Sequence, residues 1–302
     1  MTSCSGHAEE HLATRSAAGL FDFSFMALYE FQGKSELQAL QTRNLDALAP
    51  GQIAYALLLK EGGAVLIDAT VWRLDEARFW LFTGKPGRYA GLDRSGQYAI
   101  LALQGPASGR ILSRLIGREA VRGLRYFHFM EKDAMVIGRL GFSGELGYEL
   151  LVPAAHGPRL SQALLEAGRE AGILQCGWHA ADSLRIEAGY VLFDREIDGR
   201  ANPRELGLER LVEAPALRFA AARRLVGLEI MAEPARADLA LASVTSECLS
   251  PSLEKRIALG FAPPDSVRPG TLLRLADGRA ARAARLPFHD PERRLPRGSA
   301  LR

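Results

Sequence analysis

Residues 139–153 read RLGFSGELGYELLVP. The stretch reads as a Gly-rich turn followed by a short strand, with Glu145 and Glu149 four residues apart around it. Gly141, Gly144 and Gly147 let the backbone come close to something flat or reverse sharply. Glu149 is the one charge in the apolar run GYELLV. Burying a lone carboxylate there is costly unless a pair of donors meets it. A ligand is the candidate source of that pair, and the rest of the chain is weighed with that in mind.

The 302 residues are enough for two domains or three small ones. A hydrophobic share of 48% with 24% charge is that of a folded chain and excludes a disordered one. The formal charge of +3, with no basic block interleaved with aromatics, gives no footprint for nucleic acid. Cys4, Cys176 and Cys248 are odd in number and far apart, which argues against a disulfide framework and for a reducing compartment. The opening MTSCSGHAEEHLATRS lacks the apolar core of a secretory signal, and no run approaches membrane-spanning length. Six histidines lie scattered without metal-ligand spacing. A soluble cytoplasmic protein without a metal is the expectation.

In chain order, EEHLATRSAAGL (9–20) reads as a helix closed by Gly19, and FDFSFMALYEFQG (21–33) as one strand. SELQALQTRNLDAL (35–48) reads as a helix, with Ser35 and Glu36 at its start. GQIAYALLL, GAVLIDATVWRL and RFWLFTG read as strands, the first two joined by a Glu-Gly-Gly turn. YAILAL reads as a buried strand, followed by a helix with Ile111, Leu112, Leu115 and Ile116 on one side. AMVIGRL and GYELLV pair around the opening loop, an amphipathic helix spans 158–172, and HAADSLRIEAG is a shorter one. Residues 214–224, APALRFAAARR, read as a connector. After it LVGLEI, LASVTS, RIALGF and TLLRLADG suggest a small β-barrel or sandwich.

Asp68, within GAVLIDATV, shares a strand face with Leu66 and Thr70, opposite Ile67 and Ala69. By itself it reads either as the mark of a strand end with a local turn bond or as a functional acid.

Several stretches together resemble the aminomethyltransferase family, the T-protein of the glycine cleavage system and its relatives. They include EHLATRSAAGLFDFSFM, GQIAYALLLKEGGAVLIDATVWRL, LALQGP, RLGFSGELGYELLVP, DSLRIEAGYVLFDREI and NPRELGLERLV, then RRLVGLEI, VTSECLSPSLEKRIALGF, RPGTLLRL and LPF, in the family's order. The resemblance implies an α+β fold of two interleaved folate-binding domains and a small C-terminal β-barrel. It divides the chain into 1–213, a linker at 214–223 and a barrel at 224–302. It also implies tetrahydrofolate-dependent transfer of an aminomethyl or methyl group, with a small-molecule one-carbon donor or a lipoyl carrier protein as partner, and neither nucleic acid nor membrane.

Residue by residue, the resemblance places Glu149 against the paired N–H groups of the pterin. Asp68 becomes the acid that steadies positive charge on the passing one-carbon unit. Trp80 stands where the family has a tyrosine beside the pterin, Met26 belongs to a block beside the site, and Arg236 reaches toward folate or toward a neighbouring acid. Arg185 and Glu187 read as an internal ion pair. The departures are a shorter N-terminal region, Phe25 for a histidine, Ile67 for the first acid of a pair, and Ala181 for an arginine, with His179 nearby. Two alternatives follow: a non-catalytic folate-binding protein, or a paralogue that has lost activity. The Lys-Gly-Cys-Tyr-x-Gly-Gln-Glu signature of the iron-sulfur maintenance branch does not occur.

Overall fold

The computed structural model describes residues 6–213 and 219–298. Cys4 and residues 214–218 of the expected linker lie outside them. The architecture is mixed α+β, built on two sheets and a closed barrel.

The first sheet has six strands, in the order Ile173–Gln175, Ala18–Asp22, Tyr98–Gln104, Gly147–Pro153, Met135–Gly138, Phe129–Lys132. The second has five, in the order Ile53–Leu59, Val65–Arg73, Arg78–Thr83, Ala27–Gln32, Leu92–Asp93. The chain contributes one strand to the first sheet, builds the whole second sheet, and only then returns at Tyr98, so the two are interleaved in sequence.

The stretch 21–33 is two strands. Residues 23–26 turn between Ala18–Asp22 and Ala27–Gln32, and so carry the chain from one sheet to the other. Asp22 holds this turn by accepting from the Ser24 amide and hydroxyl at 2.9 and 2.6 Å. The preceding helix spans His7–Ser16, and Gly19, read as its stop, lies inside the first strand. An added Cβ at Gly19 would sit 2.2 Å from the Thr14 hydroxyl oxygen, so its role is close packing. The helix read at 35–48 is a short turn of helix, Ser35–Leu40, followed by a 3₁₀ turn at Leu45–Ala47.

The Gly147–Pro153 strand joins the two layers. Tyr148, Leu150 and Val152 face a core shared with Ile111, Leu112 and Leu164 of the covering helices. Leu151 faces the opposite way, toward Trp72, Phe82 and Leu184 between the sheets, and Glu149 shares that side. At the head of the strand, Gly141 and Gly147 close around the buried side chain of Gln104. An added Cβ at either would lie 2.0 or 2.4 Å from its amide. The flat object that these glycines admit is therefore part of the protein. Gly105 is less able to yield: at φ +121°, its Cβ would meet the backbone carbonyl oxygens of Thr14 and Ala17 at 2.5 and 2.6 Å. Gly105→Ala is expected to cost about 3 kcal/mol or more, read as a lower denaturation midpoint with an unchanged slope.

Beyond Arg224 five strands close in the order Arg224–Pro234, Lys255–Ala262, Leu241–Ser250, Leu272–Leu275, Arg279–Ala284. Their interior is small: Val226, Leu228, Ala258, Leu273, Ala281 and Ala283 fill it. The last strand, RAARAA, escapes a sequence reading because Ala and Arg carry no strand signal, yet three of its alanines are buried.

Candidate functional site

Glu149 stands on the side of its strand that faces the second sheet, and Asp68 stands on the corresponding side of Val65–Arg73 with Thr70. The space between is a cavity of about 840 Å³ that both carboxylates line, together with Met26 and Tyr55. Such a volume suits a ligand of cofactor size.

Glu149 has no hydrogen-bond or ion-pair partner among the described residues, and burial raises its pKa from 4.5 to about 7. It is surrounded by protein yet keeps part of its surface open to the cavity. Asp68 is also raised by burial. The Tyr55 hydroxyl, donating to its Oδ2 at 2.9 Å, pulls the other way. The same contact with Asp68 adds to burial in holding Tyr55 well above the ordinary tyrosine value. Asp68 is thus held by the Tyr55 hydroxyl at the cavity wall.

Arginines meet the same cavity from distant segments. Arg43 is paired with Glu213 at 2.8 Å. Arg210, Arg293 and Arg297 have no carboxylate partner among the described residues, and the Arg293 guanidinium lies 5.6 Å from the centre of the Tyr190 ring. Sequence reasoning missed these cations. The dense arginines of PERRLPRGS were a visible signal, but nothing in their spacing says that the tail folds back over the cavity.

Of the residues picked from sequence, Asp68, Glu149 and Met26 come together. Trp80 and Arg236 do not. Trp80 lies in the core between the sheets, 5.4 Å from Tyr98 ring to ring, and its indole N–H donates to Glu30 at 3.2 Å. It stands opposite Trp72 on the neighbouring strand and does not line the cavity. Arg236 is exposed on a barrel loop and forms a local double contact with Asp238 at 3.0 and 2.8 Å. Ala181 is buried, and His179 points elsewhere, its ring centre 6.3 Å from that of His7.

Arg185 and Glu187 are internal, but are not paired with each other. Arg185 reaches Asp182 at 2.8 Å, Glu196 at 2.7 Å and the Ser246 hydroxyl of the barrel at 2.6 Å. Glu187 accepts from Arg15 at 2.8 and 3.1 Å, and its other oxygen lies 3.1 Å from His11. Burial opposes its charge, but His11 and Arg15 outweigh it and hold the carboxyl at about 2. Glu145 joins the same network through Arg15 at 3.0 Å and His289 at 2.9 Å, which gives it a loop-holding role. Among the described residues no group of acids, histidines and cysteines is arranged for a metal, and no helix is long and apolar enough to cross a membrane. Cys176 and Cys248 are free.

Two interleaved sheets, a barrel and a folded-back tail thus enclose a cavity lined by one carboxylate without a partner among the described residues and by several arginines. The comparisons agree with that architecture. Residues 2–215 match the family model described as the GCVT N-terminal domain. The aminomethyltransferase of Symbiobacterium thermophilum is 36% identical over 95% of this chain and 90% of its own length. That of Desulfitobacterium hafniense is 33% identical over 93% and 89%. The crystal structure of the glycine cleavage system aminomethyltransferase T from Bartonella henselae matches with a TM-score of 0.79 and 27% identity, over 95% of this chain and 90% of that one. The chain belongs to the aminomethyltransferase family, and its function is that of a glycine cleavage T-protein-like one-carbon transferase.

Proposed function

We propose that the cavity holds tetrahydrofolate, with Glu149 against the pterin, the anionic tail toward Arg210, Arg293 and Arg297, and Asp68 beside the amine that takes the one-carbon unit. The observation that carries this reading is the unpartnered Glu149 carboxylate in a cofactor-sized cavity. A pterin presents an amino group and a ring N–H side by side, which a carboxylate can accept together. Tetrahydrofolate supplies the nucleophilic amine. Asp68 supplies a fixed negative charge where positive charge develops, and its Tyr55 bond fixes its rotamer. A lipoyl carrier protein is the proposed source of the aminomethyl group, by analogy with the glycine cleavage aminomethyltransferase.

The pKa of Glu149 makes the reading measurable. With a folded value of about 7, the free carboxyl is mostly protonated at pH 6, whereas a donor pair requires the anion. Binding at pH 6 is therefore expected to release nearly one proton, and binding at pH 8 almost none. Titration calorimetry with tetrahydrofolate in two buffers of different ionisation enthalpy reads this directly. Identical heats in both buffers at pH 6 would remove Glu149 from the binding site.

A further inference from the structure

A second, smaller pocket of about 170 Å³ adjoins the large cavity, and Asp68, Tyr55 and Met26 line both. Its walls are aromatic. Phe23 packs on Phe142 with ring centres 4.5 Å apart, Phe25 lies 5.6 Å from Phe23, and Trp178 stands edge-on to Phe25 at 5.9 Å. Phe25 and Trp178 are 51% and 45% exposed, an unusual state for two such rings in mutual contact, and they stand where the pocket opens. Phe193 closes another side and already holds the Lys85 ammonium 5.7 Å from its centre, outside the pocket.

The charge in this pocket is negative. Arg185 also reaches its wall, but its charge is spent on Asp182 and Glu196. The Asp68 carboxylate is thus left facing the rings with one oxygen taken by Tyr55. A primary ammonium needs three acceptors, and a wall of rings with one half-engaged carboxylate does not provide them. An ammonium bearing alkyl groups needs only a counter-charge and π-faces, which is what the walls offer.

We infer that this pocket is a binding site for the head of a small N-alkylated amine, held by the rings of Phe25, Trp178 and Phe142 and neutralised by Asp68. Binding of the cation stands by itself.

The test is a calorimetric titration of the whole protein with tetramethylammonium chloride. Saturable binding is expected, at least tenfold weaker for the neutral isostere tert-butanol and for ammonium chloride. Trp178→Ala, Phe25→Leu and Asp68→Asn are each expected to weaken it about tenfold. Trp178→Ala should leave tetrahydrofolate affinity unchanged, which also shows that the variant is folded. No saturable binding, equal affinity for tert-butanol, or indifference to both Trp178→Ala and Asp68→Asn overturns the inference. Tetramethylammonium binding without any tetrahydrofolate binding leaves the pocket standing and overturns the folate reading instead.

Discussion

Glu149→Gln is expected to weaken tetrahydrofolate binding about 100-fold at pH 8 while making the free protein more stable. The two effects have one cause. At pH 8 the native protein holds an ionised carboxylate that no protein donor meets, and burial has moved its pKa from 4.5 to about 7. A raised carboxylate pKa means that the native state prefers the proton. The contribution is intact below pH 4.5, is lost as pH rises through about 7, and amounts to about 3 kcal/mol at most, less where cavity water screens the charge. Glutamine keeps the shape and removes that cost, so the stability advantage of the variant should grow between pH 5 and pH 8. With ligand present the balance reverses. A glutamine offers one acceptor oxygen and turns an N–H toward the ligand's own donors, forfeiting a charge-assisted pair. Denaturation at pH 5 and pH 8, with tetrahydrofolate titration at pH 8, checks both halves. Unchanged affinity, or lower stability of the variant at pH 8, would show that Glu149 serves the fold.

Glu187→Ala should be the most destabilising change at any charged residue of the site region, by about 3–5 kcal/mol. Glu187 is fully buried, and its carboxylate joins Arg15 and His11 of the first helix to Ser250 of the barrel. Its backbone carbonyl also accepts from the Phe288 and His289 amides of the tail. Removing the carboxylate leaves the Arg15 guanidinium with Glu145 as its one acid beside the Ser143 and Leu184 carbonyls, and the His11 ring without its anion. The pH dependence has the opposite sign to that of Glu149. The Glu187 pKa falls from 4.5 to about 2, so its contribution is present above pH 4.5 and is lost as pH drops toward 2. Wild type should therefore converge on the variant in acid. Urea unfolding at pH 7 and pH 3 measures this, and a loss below about 1 kcal/mol at pH 7 would show that the network contributes little.

What the sequence made legible follows from what is local. Glu149 was visible because an apolar neighbourhood leaves a lone carboxylate conspicuous, whereas the strand face of Asp68 left two readings open and the resemblance chose between them. Both lie at the cavity. Trp80 shows the limit of carrying a position over by resemblance: in this chain it packs on Phe82 and Tyr98 and does not line the cavity. Arg236 shows how a loop cation can settle on a neighbour two residues away. The partners of Arg185 and Glu187 were misread because each finds others: Arg185 takes Asp182 on its own helix and Glu196 11 residues on, while Glu187 takes Arg15, 172 residues away, and His11. Arg293 and Arg297 were invisible as site residues because only the folded tail brings them to the cavity.

The interleaving of the two sheets has a consequence for how the chain acquires its structure. The Ala18–Asp22 strand takes its partners from Tyr98–Gln104 and Ile173–Gln175. During synthesis it must wait, unpaired, while the entire second sheet emerges and folds. Only when residue 175 is out can its second edge be covered. Late pairing of this kind slows folding and exposes an apolar edge to neighbours in the meantime. It also means that a cut between the sheets, at residues 23–26, would part the Ala18–Asp22 strand from both of its partners and leave the first sheet without one of its inner strands.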